Sequence, residues 1–65
     1  MKSFIKLVID GLYVEFAEYS SSEVDKMIND SGIIETIKKY PETYKHLTIG
    51  QIADRMISKL ENKSF

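Results

Sequence analysis

Apolar residues recur along much of the chain at intervals of three and four, the period of an amphipathic α-helix. The pattern is clearest near the C-terminus, where one face is apolar and the other is charged. The apolar residues there are Ile49, Ile52, Ala53, Met56, Ile57 and Leu60. Thr48 and Gln51 have the spacing of a capping box, which marks a helix start. The pattern predicts a core helix over residues 49–62.

The N-terminal segment, residues 3–19, is predicted to be a helix with more apolar surface than one face can bury. Its best stripe at helical spacing consists of Ile5, Val8, Ile9, Leu12, Phe16 and Tyr19. Other apolar side chains lie outside that stripe: Phe4, Leu7, Tyr13, Val14 and Ala17. Such a wide apolar surface is typical of a central helix or of a helix at an interface. A buried β-strand over residues 4–9 is the alternative, although no hairpin turn signal follows it.

A second helix is predicted over residues 22–30, after a run of three serines. Ser20 and Glu23 match a capping box, and Ser22 is an alternative cap. The inward-facing residues of this helix would be Val24, Met27 and Ile28.

A third helix is predicted over residues 33–40. Gly32 can adopt the left-handed conformation that ends the second helix, and Pro41 ends the third helix. The apolar side would hold Ile33, Ile34, Ile37 and Tyr40. Residues 41–47 would form a turn of helix or a loop, anchored by Tyr44 and Leu47. The sequence therefore predicts an all-α fold, a compact bundle of three to four helices in a single domain, residues 1–65.

The composition argues against several kinds of active site. A chain of 65 residues forms one small domain with a thin core. It contains no cysteine, which excludes disulfides and cysteine-based metal sites. His46 is the single histidine, and nothing nearby in the sequence pairs it with a nucleophile or carboxylate. We expect no enzyme activity, no cofactor and no metal site, and we interpret His46 as a surface or capping residue.

The charge is nearly balanced, with nine basic and ten acidic side chains, but the two halves differ. Residues 1–33 carry three lysines against six acids, whereas residues 34–65 carry six bases against four acids. No dense basic patch indicates a nucleic-acid surface. The apolar run at residues 7–9 is too short for a signal peptide or a membrane span, so we expect a cytoplasmic protein that does not contact membrane.

DNA binding is the alternative function, through the segment at residues 47–62. Residues 47–56 resemble the first helix of a helix-turn-helix unit. That unit needs a tight turn and then a recognition helix in the major groove. Here the helical pattern continues without a turn residue, so a recognition helix is missing.

Protein binding is the function that the pattern favours. The surplus apolar residues of the first helix are the candidate partner-binding residues: Phe4, Leu7, Tyr13 and Val14. Large exposed apolar patches usually mark partner sites. The partner would be another protein or a second copy of the chain, as a homodimer. Alternatively, the two short helices cover this surface within one chain.

The order of several features over about residues 7–62 is similar to a short bacterial family, domain of unknown function number thirty-seven ninety-one. The matching residues are Glu15, Ser22-Glu23-Val24, Gly32-Ile33-Ile34-Glu35, Tyr40 and His46-Leu47-Thr48. The chain departs from the family in placing His46 before Leu47 and in having Pro41. Such genes often lie beside an ADP-ribosyltransferase-like gene, as in toxin–antitoxin pairs. The resemblance implies an antitoxin-like or accessory binding protein and no catalytic residue.

Overall fold

The computed structural model describes residues 3–62, and within that range the chain forms helices and turns with no strand. The five helices are α1 (Phe4–Glu15), α2 (Ser21–Ser31), α3 (Ile33–Lys39), α4 (Pro41–Lys45) and α5 (Ile49–Asn62). The all-α prediction is confirmed. The count is one above the upper end of the three or four helices expected, because residues 41–45 form a short helix of their own. None of the helices in the described range is long and apolar enough to cross a membrane.

The first helix ends earlier than predicted, at Glu15 instead of residue 19. Phe16 leaves the helical backbone, with φ −109° and ψ 41°. The N–H groups of Ala17 and Tyr19 then bond to carbonyls three residues back, which makes a tighter turn. Serines follow, and their side chains favour caps and turns over helix interiors. Phe16 remains buried, but Tyr19 leaves the predicted stripe and is 45% exposed.

Both predicted capping boxes are present. The Ser20 hydroxyl accepts from the Glu23 N–H at 3.2 Å, and the Ser20 N–H donates to the Glu23 carboxylate at 3.3 Å. Ser20, and not Ser22, is therefore the cap of α2. At the start of α5, Gln51 N–H donates to the Thr48 hydroxyl at 3.2 Å, and Thr48 N–H donates to the Gln51 side chain at 2.9 Å. Each box satisfies two N–H groups that the helix itself leaves unpaired.

A single residue, Gly32, joins α2 to α3. It has φ +67°, the left-handed conformation that was predicted from its position. The hydroxyl of the preceding Ser31 is buried, donates to the Ile28 carbonyl at 3.0 Å and accepts from the Ile33 N–H at 3.2 Å. The buried polar group is thus fully paired at the point where the chain turns.

Tyr40 separates α3 from α4, and its predicted place on the apolar side of α3 was wrong. It is 52% exposed. The cause is Pro41, which disfavours helical geometry at the residue before it and instead begins α4. Tyr44 and Leu47 do anchor the next segment as predicted, since Tyr44 is buried and Leu47 packs against the core.

The core lies where α5 packs against α1, α2 and α3. Its buried apolar members are Val8, Leu12, Phe16, Val24, Ile33, Ile37, Tyr44, Ile52, Ala53 and Met56. Full burial of a large aliphatic side chain contributes about 1.5–3 kcal/mol relative to exposure. The predicted inward face of α5 is confirmed, with Ile52, Ala53 and Met56 at its centre.

α1 approaches the start of α5 closely at Gly11. A Cβ atom on Gly11 would lie 2.6 Å from Cδ1 and 2.8 Å from Cγ1 of Ile49. A Cβ on Gly50 would have no neighbour closer than 3.8 Å. The absence of a side chain at Gly11 therefore leaves room for the Ile49 side chain against α1, whereas Gly50 makes no such close approach.

We expect Gly11→Ala to destabilise the domain by about 1 kcal/mol. Overpacking costs about 1–3 kcal/mol and exceeds the roughly 0.5–1 kcal/mol that alanine gains over glycine in a helix. Gly50→Ala is the control and should stabilise by about 0.5–1 kcal/mol. Urea unfolding monitored by circular dichroism measures both changes.

The close contact also predicts a rescue. In an Ile49→Ala background, which removes the atoms facing Gly11, Gly11→Ala should become neutral or stabilising. Equal gains in stability from Gly11→Ala and Gly50→Ala in the parent chain would contradict the assigned close approach.

Candidate functional site

The four residues predicted to bind a partner do not form one patch. Leu7 is 50% exposed and Val14 is 76% exposed. They are seven residues apart and so lie two turns apart on the same face of α1. Phe4 and Tyr13 are half-buried and pack against the core. At about 100° per residue, their separation of nine positions places them on opposite sides of α1.

The exposed face of α1 is a narrow ridge with an acid in its middle. Asp10 is three residues after Leu7 and four before Val14, so the three residues share one face. We call these three residues, Leu7, Asp10 and Val14, the outer ridge. The Asp10 carboxylate lies 3.9 Å from the Lys6 ammonium, and both side chains are more than half exposed. An ion pair this long and this exposed contributes little to stability.

Contacts on both sides of α1 hold the outer ridge toward solvent. On one side, the Tyr13 hydroxyl donates a hydrogen bond to the Asp25 carboxylate of α2. On the other side, Gly11 lies against Ile49 of α5. Nearby, a Glu15 carboxylate oxygen lies 3.9 Å from the position that a Cβ atom on Gly50 would occupy. This negative charge beside the N-terminus of α5 interacts favourably with the dipole of that helix.

The first two helices and the turn between them carry most of the negative charge. Within residues 3–32 only Lys6 and Lys26 are basic, and six residues are acidic. The acidic residues are Asp10, Glu15, Glu18, Glu23, Asp25 and Asp30. The outer ridge is therefore apolar at two positions and set in an acidic part of the molecule.

The segment predicted for DNA binding forms the continuous helix α5, which extends through Asn62. Its exposed positions mix polar residues with both signs of charge: Gln51, Asp54, Arg55, Ser58, Glu61 and Asn62. The Arg55 guanidinium lies over the Tyr44 ring, with its Cζ 5.6 Å from the ring centre. Arg55 is thus already engaged in a contact within the domain. Acidic neighbours on the same surface oppose phosphate binding.

His46 is exposed and forms the C-cap of α4. Within residues 3–62 no group of three His, Asp or Glu side chains is arranged to hold a metal ion. The same part of the chain has no pocket. The outer ridge, which holds two of the exposed large apolar side chains of residues 3–62, is therefore our candidate site.

The place of Asp10 in the outer ridge was not predicted, although its spacing from Leu7 and Val14 is readable in the sequence. The contact of Gly11 with α5 was also missed. A glycine inside a helical pattern often marks close packing, and that signal was available.

No family model, curated protein or solved structure matches the chain. The resemblance to a bacterial family of unknown function therefore stays a prediction.

The Tyr13–Asp25 hydrogen bond predicts a pH dependence. This bond, together with desolvation and the negative charges of Asp25 and Asp10, raises the pKa of Tyr13 above its usual value of about 10. The folded state therefore favours the protonated phenol. This contribution to stability is complete below the unfolded pKa of about 10, and is lost as the pH rises through the folded value.

Asp25→Asn should lower the pKa of Tyr13 toward 10, measured by NMR titration of the tyrosine ring carbons. Asp54→Asn is the control, since Asp54 lies on a different helix, and it should leave the titration of Tyr13 unchanged. A Tyr13 pKa that does not respond to Asp25→Asn would contradict this pairing of α1 with α2.

Proposed function

We propose that the chain is a small non-enzymatic protein-binding module that contacts its partner through the outer ridge. The observation that supports this most directly is the exposure of Leu7 and Val14 on one face of α1. Single exposed apolar residues are common and need no explanation. Two of them at helical spacing, on a helix held in place from both sides, provide two apolar contact points for another helix, with Asp10 between them.

The size of the ridge sets what the partner must supply. Leu7 and Val14 are about 10 Å apart along the axis, at about 1.5 Å per residue. Completing the burial of these two side chains contributes at most a few kcal/mol, since full burial of each is worth about 1.5–3 kcal/mol. A micromolar complex needs about 8 kcal/mol net. Apolar contact with the ridge alone is therefore too weak, and the partner must add other contacts.

The finer form of this proposal comes from the family resemblance. In this form, the partner is a neighbouring toxin-like enzyme, and the chain acts in the cytoplasm as the antitoxin-like or accessory protein of that enzyme. DNA binding through α5 has less support, because Asp54 and Glu61 share the exposed surface with Arg55.

Site-specific crosslinking in the native host tests the proposal. A photoreactive amino acid at Val14 should give a discrete crosslinked product of higher mass. The same amino acid at Ser58, which is exposed on α5, is the matched control and should not give that product. Mass spectrometry of the product identifies the crosslinked protein and distinguishes it from a second copy.

The crosslinked product should also weaken when Leu7 is changed to Ser in the Val14-labelled chain. No product at Val14, or the same product from Val14 and Ser58, would contradict the assignment of the outer ridge as the contact surface.

A further inference from the structure

We propose that the docking segment of the partner is a cationic amphipathic helix, an inference that rests on the proposed binding function of the outer ridge. The observation that carries it is the position of Asp10. This carboxylate lies between the two exposed apolar side chains, so a partner that covers Leu7 and Val14 also covers Asp10. A carboxylate that loses water without gaining a positive partner is costly.

Lys6 meets this need only weakly within the chain. Its ammonium is 3.9 Å from Asp10, and its side chain is 62% exposed. Within residues 3–32 it is one of only two bases against six acids. A partner with lysine or arginine residues therefore complements both Asp10 and its surroundings.

A second copy of the chain fits this ridge poorly. In a two-fold pairing centred between Leu7 and Val14, each copy places Asp10 near the axis. The two Asp10 carboxylates would then approach each other in a partly desolvated contact, where like charges are unfavourable. The charge at the centre of the ridge thus favours a different, basic partner over a homodimer.

The spacing on α1 also indicates the spacing on the partner. A helix lying along the ridge would present apolar residues seven positions apart, with a basic residue three or four positions after the first. This is the pattern of the ridge itself with the sign of the charge reversed. As in helix-in-groove recognition, residues at helical spacing would make the contacts, but here they would meet one face of a helix.

Two synthetic helical peptides test the inference. Each has about 18 residues, because isolated helices begin to be stable near this length. Both carry the same leucine stripe, and one has lysine beside the stripe where the other has glutamate. Titration of the full chain with each peptide at low salt, followed by backbone NMR, should show binding of the lysine peptide and shifts centred on α1. The glutamate peptide should bind at least about tenfold more weakly.

Variants separate the contribution of charge from that of apolar contact. Asp10→Asn should weaken binding of the lysine peptide by about three- to tenfold. The matched control Asp54→Asn, on α5, should leave it unchanged. Leu7→Ser combined with Val14→Ser should abolish binding of the lysine peptide.

The possible results distinguish this inference from the function on which it rests. Equal binding of both peptides, lost in the Leu7→Ser/Val14→Ser variant, would overturn the cationic partner and leave the binding surface in place. Binding of neither peptide would overturn the cationic helix as the docking segment, whereas binding of the lysine peptide that the double variant does not affect would overturn both proposals. Concentration-dependent dimerisation of the chain through the outer ridge, seen by sedimentation, would replace the basic partner by a second copy.

Discussion

Burial of the apolar face of α5 is the constraint on which the other helices depend. Ile52, Ala53 and Met56 must be covered, and α1, α2 and α3 together cover them. A domain of this size buries only about 60% of the surface that its unfolded chain exposes, so its core is small and each apolar side chain left outside the core matters for stability. Two exposed apolar side chains on one helix therefore stand out against a core that uses ten buried residues.

Short-range signals decide where the helices begin and turn, and these in turn orient α1. The Ser20–Glu23 box starts α2 immediately after the turn that follows α1, which brings Tyr13 within reach of Asp25. The Thr48–Gln51 box starts α5 beside Gly11. α1 is consequently held on both sides, and its remaining face points away from the core.

Local chemistry was predictable from the sequence, whereas the arrangement around α1 was not. The face of α5, both capping boxes and the left-handed Gly32 follow from rules that act over four or five residues. α1 has apolar residues on nearly every side, so its own periodicity cannot say which of them are buried. Neighbours distant in the sequence decide this, with α2 reached by Tyr13 and α5 by Gly11.

Two tyrosines that were predicted to lie on apolar helix faces are exposed instead. Tyr19 and Tyr40 both fit a helical stripe by spacing, yet Tyr19 lies four residues after the end of α1 and Tyr40 directly after the end of α3. A turn after α1 and a proline after α3 redirect the backbone before the side chain can join the stripe. Helical periodicity therefore misplaced these two side chains, although it placed Phe16, the first residue after α1, correctly in the core.

The most direct measurement is the urea stability of the domain when the outer ridge alone is made polar. If Leu7 and Val14 serve binding more than folding, Leu7→Ser combined with Val14→Ser should lower the free energy of unfolding by no more than about 1 kcal/mol, because Leu7 is only half buried and Val14 is 76% exposed. The matched change on the buried face of the same helix, Val8→Ser with Leu12→Ser, should unfold the domain. A loss of about 2 kcal/mol or more in the ridge variant would show that these side chains stabilise the fold, and would contradict their assignment to a partner.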